Sequence, residues 1–498
     1  MTEFFAKNRL FGDGCSLFGG LLLPLGFSPF DVWLTPFISL VVLCLAWSNV
    51  TSIRAFWRGW LFGCGMYGLG VSWVVESFQY SYVSFGPAVL LTILLVMFLA
   101  LFPAVLGAFL VFSGATNVYL KWVVVMPAAW VLIDFFRASF LSGFTWLQVG
   151  YSQIDTPLSG LAPIGGVYAM SWVVAVTSGY LVWLLLKPKS LFWRASILVL
   201  IPWLLAIWAN SITWTTRAGP DISIALLQGN IPQDIKWQAE SKVPTLHLYH
   251  AMTRAHLGND LIIWPETAIP GFYEAFRTFL SELQHDAISS QTDLLIGVPT
   301  KKTQPVRFHN SLVVVGAEPS FYHKRHLVPF GEYLPLEPIL RPIARAFGLP
   351  IPQFNPGPED SRLLRVAGYP VGVSICYEAT FGKDVIRALP EAAFLVNVSN
   401  DAWFGESIAP HQHLQMARLR AREAGRYLAR GTNTGISAFI SPRGDVVARA
   451  PQAVRTTLVM DITPLQGVTP YSRWIDYPVL VLMLILLVFG TTVGRVSR

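Results

Sequence analysis

Long apolar runs separated by short polar breaks fill the first 213 residues, and one more apolar run closes the chain. They predict membrane-spanning helices near 11–27, 31–49, 56–76, 86–112, 119–138, 165–186 and 192–213, then a last one at 474–494. The criterion is length, since a bilayer core of about 30 Å needs roughly 20 apolar residues per helix. The first run is short and broken by Gly and Pro. It has no convincing small-residue cleavage site and more spans follow, so a retained helix is expected rather than a signal peptide.

Loop cations orient the set, because cytoplasmic loops collect Lys and Arg. With the N-terminus inside, the inside segments hold Lys7, Arg9, Arg54, Arg58, Lys121, Lys187, Lys189, Arg194, Arg495 and Arg498. The short outside loops hold essentially only Arg137. Both termini are therefore expected in the cytoplasm, and the polar stretch 214–473 on the far side. In a bacterium that side is the periplasmic face of the inner membrane.

Between 214 and 473 the pattern changes. DISIALL at 221–227 alternates and then turns apolar, as a buried strand does. Similar short runs recur at 261–264, 294–298, 311–316, 371–376 and 394–399, with helix-like segments at 241–257, 272–289 and 411–429. Strands alternating with helices predict a layered α/β fold. The Pro-rich stretch 335–358 reads as the one long irregular segment. Its Phe347, Leu349, Ile351 and Phe354 suggest an apolar lid dipping into the membrane.

Composition sharpens the division. The chain of 498 residues is 53% hydrophobic and 13% charged, against about a quarter charged in an average soluble protein. Residues 1–213 hold 9 Lys/Arg and 6 Asp/Glu, while 214–473 hold 25 and 22 together with all nine His. Three regions follow: an N-terminal transmembrane domain at 1–213, a soluble domain at 214–473, and a C-terminal helix with a short tail at 474–498. The net charge of +7 sits largely in loops beside apolar segments, where topology explains it. No nucleic-acid motif accompanies it, so no nucleic-acid partner is expected.

Few polar groups interrupt the spans. Asp134 and Arg137 are three apart and can pair on one helix face. With Glu76, they are expected near the outer surface in structural roles. The uncharged connection GFTWLQVGYSQ, 143–153, is expected at the membrane interface.

Candidate chemistry lies in the soluble part. Glu266 follows the strand LIIW, Lys324 lies in FYHKRHLVPFGEY, and Cys376 ends VGVSIC. Groups at the carboxyl ends of strands line the crevice in open α/β folds. A free thiol has a pKa of about 8.5 and is only a few per cent thiolate at neutral pH. It needs a base, which Glu266 can supply, while Lys324 can stabilise a thiolate and an oxyanion. Singly, each residue has a plainer reading: a small core residue, a solvated face, a helix start. His323, His326, His411 and His413 have ligand-like spacings, but no carboxylate or Cys pattern completes a zinc site, so no metal is expected. The segment 417–430, with five Arg, reads as an exposed helix with Glu423 pairing.

Taken together, the order Glu, Lys, Cys, each at a strand end, resembles the triad of the nitrilase (carbon–nitrogen hydrolase) superfamily. QGNIPQDIKW (228–237), WPETAIP (264–270), YHKRHLVPFGEYLPLE (322–337), ICYE (375–378) and NVSNDAWFG (397–405) are similar to one membrane-bound branch of it, the apolipoprotein N-acyltransferases. The resemblance implies an α-helical transmembrane bundle of about eight spans plus an α/β nitrilase-like αββα sandwich domain. It implies Glu266 as base, Lys324 at the oxyanion and Cys376 as nucleophile. Glu332 becomes a supporting carboxylate, Tyr377 and Glu378 neighbours of the nucleophile, and Trp237 an aromatic near the entrance.

The implied reaction moves an sn-1 acyl chain from a phospholipid to the N-terminal amine of a diacylated apolipoprotein. It runs through a thioester on Cys376, in ping-pong fashion, in a monomer that needs no cofactor. A membrane-anchored nitrilase-type amidase would use the same three residues, and a catalytically dead scaffold or a transporter fits the intact set and the few charged spans less well.

Overall fold

The computed structural model describes residues 8–80, 83–186, 192–316, 319–346, 353–359 and 363–496. The chain divides into two units. One comprises Met1–Val75, Phe85–Ile212 and Trp474–Arg498; the other comprises Glu76–Ser84 and Thr213–Arg473.

The first unit is helical. Its helices include Arg9–Leu22, Thr35–Ala46, Ser52–Gly70, Phe85–Leu99, Leu101–Phe112, Met126–Arg137, Ala162–Leu186, Phe192–Ala209 and Tyr477–Val496. Helices approach closely where a side chain is missing. A Cβ on Gly179 would stand 1.8 Å from the Trp122 carbonyl oxygen, and one on Gly20 would stand 2.0 Å from that of Phe62. Small residues at such crossings permit dense packing where no water drives association. By length and apolarity, Phe85–Phe112, Pro157–Leu186 and Tyr477–Gly494 suffice to cross a membrane among the described residues, and Thr35–Ala46 and Val199–Ala209 are shorter apolar helices.

Two details of this unit go beyond the sequence expectation. Segment 143–153 is packed within the unit rather than laid on its surface: Trp146, Val149, Tyr151 and Gln153 are buried, and the Ser171 hydroxyl accepts from Gly150 N at 2.9 Å. Asp134 and Arg137 do pair, at 2.9 Å, but both are buried rather than near solvent. Arg137 is retained inside because it also donates to the carbonyls of Phe144 and Trp146, at 2.7 and 2.8 Å. A buried cation is tolerable only with such partners.

The second unit holds two six-stranded sheets among the described residues. One runs, edge to edge, Thr456–Ile462, Ile222–Gln228, Leu261–Ile263, Asp293–Thr303, Val306–Val315 and Ser320–His323. The other runs Val446–Arg449, Ala438–Ile440, Leu428–Thr432, Phe394–Ser399, Tyr369–Ile375 and Leu363–Val366. Strand alternation explains the layers, because successive side chains point to opposite faces. Ile222, Ile224 and Leu226 join Val371, Val373, Ile375, Val396 and Val398 in the core between the sheets. Ala225 and Leu227 face outward and pack with Tyr249, Leu280 and Leu283 of the helices Ala239–Arg254 and Arg277–Ser289. The helix Ala409–Ala424 contacts the strand Leu428–Thr432 of the second sheet. The result is an αββα sandwich, as expected.

The Arg-rich segment is a correction. It is a helix only to Ala424, and then turns into the strand Leu428–Thr432. Arg420, Glu423, Arg426 and Arg430 are at most 1% exposed, not a solvated face. Arg420 meets Glu423 at 2.9 Å, while Arg426 donates to the carbonyls of Ala392 and Gly467. Backbone carbonyls, which sequence patterning does not reveal, hold these charges inside. The Pro-rich stretch is also less irregular than its composition suggests, since Glu337–Ala346 is helical. Phe347, Leu349 and Ile351 lie outside the described residues.

Candidate active site

The parallel core strands bring their carboxyl ends together, and the polar groups that follow them converge. Glu266 sits in a turn three residues beyond Leu261–Ile263. Gly297 on the neighbouring strand makes room for that turn, since a Cβ there would stand 2.1 Å from the Pro265 carbonyl oxygen. The next residue, Thr267, has φ +47°, a region in which β-branched residues are genuine outliers. Lys324 follows the strand Ser320–His323, and Cys376 follows Tyr369–Ile375. Cys376 has φ +52°, so the backbone turns sharply as it leaves the sheet.

Asn310 ties two carboxylates together. Its Nδ2 donates to Glu266 Oε1 at 2.7 Å and to Glu332 Oε1 at 2.9 Å. Lys324 Nζ stands 2.9 Å from Glu332 and 3.7 Å from Glu266 Oε1. The other oxygen of Glu266 accepts the Asn400 amide N–H at 2.7 Å, and the other oxygen of Glu332 accepts that of Val328 at 2.8 Å. Every one of these side chains is buried. Buried carboxylates persist only when their oxygens are satisfied in this way.

Electrostatics assign each group a state. Burial works against the Lys324 charge, but Glu332 and then Glu266 outweigh it and hold the amine well above its ordinary range. It is a fixed cation. Burial, followed by the Glu266 carboxylate, pushes the Cys376 thiol well up, and Lys324 offsets only part. The resting group is thus a thiol, and its attack on a carbonyl requires a base. Chemically the set suits nucleophilic acyl transfer: a thiol, a carboxylate and a cation for the developing oxyanion.

The supporting residues divide. Glu332 belongs to the cluster. Glu378 braces the backbone instead: its oxygens accept from Ile375 N at 2.7 Å, Arg325 N at 2.7 Å, His326 N at 3.1 Å and the Tyr322 hydroxyl at 2.9 Å. It thereby joins the strand before Cys376 to the chain after Lys324. Tyr377 is buried, with its ring centroid 5.1 Å from Phe381 and 5.7 Å from His326. Trp237 is 47% exposed.

Besides Asn310, two further groups escaped the sequence analysis. Lys236, beside Trp237, is 2% exposed. Its Nζ donates to Thr267 Oγ1 at 2.8 Å and to the Glu266 carbonyl at 3.4 Å. Burial, opposed by the Glu266 carboxylate, lowers its pKa to about 7. The second is Asp401, which accepts from Ser399 at 2.6 Å and Arg430 at 2.8 Å and lies 3.1 Å from His413 Nδ1. The NVSNDAWFG motif contained Asp401 and Ser399, but nothing in their spacing pointed to His413 or Arg430.

Comparison with known proteins bears on both units. The carbon–nitrogen hydrolase family matches residues 223–471, and the apolipoprotein N-acyltransferase N-terminal domain family matches residues 19–180. Among similar chains is the apolipoprotein N-acyltransferase of Methylococcus capsulatus, 45% identical over 93% of this chain and 92% of that one. Those of Azotobacter vinelandii and Coxiella burnetii are each 39% identical. They cover 98% and 95% of this chain, and 96% and 98% of their own lengths.

Proposed function

This chain belongs to the apolipoprotein N-acyltransferase family, and we propose that it moves an acyl chain from a phospholipid to the N-terminal amine of a diacylated apolipoprotein. The observation that carries the mechanism is the buried cluster in which Asn310 and Glu332 tie Glu266 to Lys324, with the buried Cys376 thiol within the electrostatic reach of both charges. The donor carbon is the sn-1 ester.

In the first half-reaction Cys376 Sγ attacks the ester carbonyl as its proton passes to Glu266. Lys324 Nζ and the Tyr377 amide N–H stabilise the oxyanion. The tetrahedral species collapses, the C–O bond breaks, and Glu266 returns the proton to the leaving lysophospholipid oxygen. A thioester remains. In the second half-reaction the lipoprotein amine attacks that thioester, Glu266 takes the amine proton, the C–S bond breaks, and Glu266 passes the proton to the departing Cys376 Sγ to regenerate the thiol. This is a ping-pong sequence in which the residues of this chain carry every proton. A buried site suits it, because water reaching the thioester would turn the transferase into a lipase.

The same proposal includes topology. Residues 1–213 form the N-terminal transmembrane domain and 474–498 the closing helix and tail. They make eight spans, with both termini cytoplasmic and 214–473 at the periplasmic face of the inner membrane. Support comes from the ten-to-one distribution of loop cations and from exposed apolar residues such as Leu204, Ile207, Ile485 and Val488. Trp237, exposed on its loop, is assigned to substrate entry, and the enzyme acts as a monomer.

Intact-protein mass spectrometry tests the chemistry. Incubated with phosphatidylethanolamine and no acceptor, the protein should gain one fatty acyl mass that hydroxylamine removes and a diacylated lipopeptide discharges. Cys376→Ala should gain nothing. No adduct at any time, with hydrolysis of small amides instead, would transfer the assignment to an amidase.

A further inference from the structure

The peptide bond after Cys376 is held from its carbonyl side by a residue that the mechanism above does not use. His413, on the helix Ala409–Ala424, places Nε2 3.1 Å from the Cys376 carbonyl oxygen. A carbonyl oxygen only accepts, so Nε2 carries the proton. The opposite ring nitrogen, Nδ1, lies 3.1 Å from both Arg430 Nη2 and Asp401 Oδ1. Neutral imidazole accepts there from Arg430, and imidazolium donates there to Asp401. In both states Nε2–H remains directed at the carbonyl. Burial and then the Arg430 guanidinium lower the imidazole pKa, which favours the neutral ring.

The support behind His413 is rigid. Arg430 joins Asp401 at 2.8 Å and also donates to Asn397 Oδ1, while Ser399 donates to the other Asp401 oxygen at 2.6 Å. All these side chains are at most 1% exposed. They grip a strained point, since Cys376 has φ +52°, a left-handed conformation that non-glycine residues seldom adopt.

A trans peptide is planar, so its N–H points opposite to its C=O. Anchoring the Cys376 carbonyl therefore sets the direction of the Tyr377 N–H. We propose that His413 is a positioning residue that aims the Tyr377 amide as oxyanion donor, with Asp401 and Arg430 fixing its ring. The inference rests on Cys376 being the nucleophile.

The test separates oxyanion stabilisation from nucleophile placement. Acylation by phosphatidylethanolamine in mixed micelles builds an oxyanion; alkylation by iodoacetamide uses the same sulfur and builds none. Both rates are measured on full-length protein, the first in single turnover by intact mass. In His413→Gln the amide Nε2 reaches about as far as the imidazole Nε2, so acylation should stay within about tenfold of the parent. His413→Asn and His413→Met cannot reach, and acylation should fall about 100-fold, the usual effect of losing one oxyanion donor. Alkylation should change only a few-fold in all three.

Parallel loss of acylation and alkylation would overturn the inference, and so would equal acylation in the Asn and Gln variants. Should Asn and Met fail to fold, the Gln variant decides: an unchanged ratio of the two rates supports the role, and a 100-fold fall overturns it. Absence of an acyl adduct in the parent protein would remove the nucleophile assignment itself, a distinct result that takes this inference with it.

Discussion

Replacing Lys236 with Met should stabilise the protein and weaken its chemistry. Lys236 is 2% exposed and its pKa is lowered from 10.5 to about 7, with burial as the main cause. A shift of one unit corresponds to about 1.4 kcal/mol, so holding this amine inside costs folding about 5 kcal/mol at pH 6.5. The sign follows from linkage. Between pH 7 and pH 10.5 the unfolded chain binds the proton and the folded chain does not, so stability rises with pH in that window. Below it both states are protonated and the full cost persists; above it neither is and the cost is gone.

Met keeps the apolar stem and loses the hydrogen bond to Thr267, worth about 1 kcal/mol. The net gain in Lys236→Met should be about 4 kcal/mol at pH 6.5, shrinking toward zero and slightly below by pH 10. Urea unfolding in detergent, followed by tryptophan fluorescence at pH 6.5, 8 and 9.5, measures the difference between the two proteins, in which all other titrations cancel. Converging curves support the argument. Parallel curves, or a variant that is less stable at pH 6.5, refute it. Acylation should fall about tenfold, because Lys236 pins the strained Thr267 turn that carries Glu266.

Glu332→Gln should slow acylation in single turnover by at least about 100-fold, because removing one partner of a buried ion pair costs about 3–5 kcal/mol and Lys324 would turn from the substrate toward Glu266. Tyr322→Phe should cost about 1.5–3 kcal/mol in the same urea experiment, the range for a hydrogen bond to a charged group, since its hydroxyl donates to Glu378. Alkylation of Cys376 by iodoacetamide should climb with pH without levelling by pH 9.5, because burial and Glu266 hold the thiol up; a plateau near pH 7 would mean a preformed thiolate and no need for Glu266 as base.

Local pattern made much of this molecule legible, and where it failed the cause is tertiary. Short apolar, β-branched runs located the strands at 222–228, 369–375 and 394–399 within a residue or two, because these strands are buried on both faces. Glu266 and Cys376 drew notice because each follows such a run, and Lys324 because of its motif, while its strand Ser320–His323 was not among those expected. Asn310 drew none, although it binds two of the site's carboxylates: it lies mid-strand, between His309 and Ser311, where polarity reads as an outward face. Arg420, Arg426 and Arg430 looked like a solvated helix for a related reason. Arg420 does pair locally with Glu423, but a local pair forms as well on an exposed helix. Arg426 and Arg430 reach Ala392, Gly467, Asn397 and Asp401, 29 to 41 residues away, so nothing local distinguishes a buried guanidinium from an exposed one. The same holds for His413, whose partners Cys376, Asp401 and Arg430 are 37, 12 and 17 residues away.

On the proposed mechanism, the charges of the site explain why Cys376 rests protonated. Glu266 and Glu332 bring two negative charges against one fixed cation, Lys324. A thiolate would add a third negative charge in a space where burial already disfavours it. The balance changes only when a substrate carbonyl arrives. In the proposed mechanism, proton transfer from Cys376 to Glu266 then removes one charge from the carboxylate while another develops on the substrate oxygen, beside Lys324. The total is conserved and moves from one side of the ammonium to the other. A preformed thiolate would gain less, because Lys324 would already be committed to the sulfur. Stabilisation reserved for the transition state raises the rate of the chemical step, whereas the same interaction made in the resting site would not. Glu332 keeps Lys324 charged throughout, so the cation is available in both halves of the reaction.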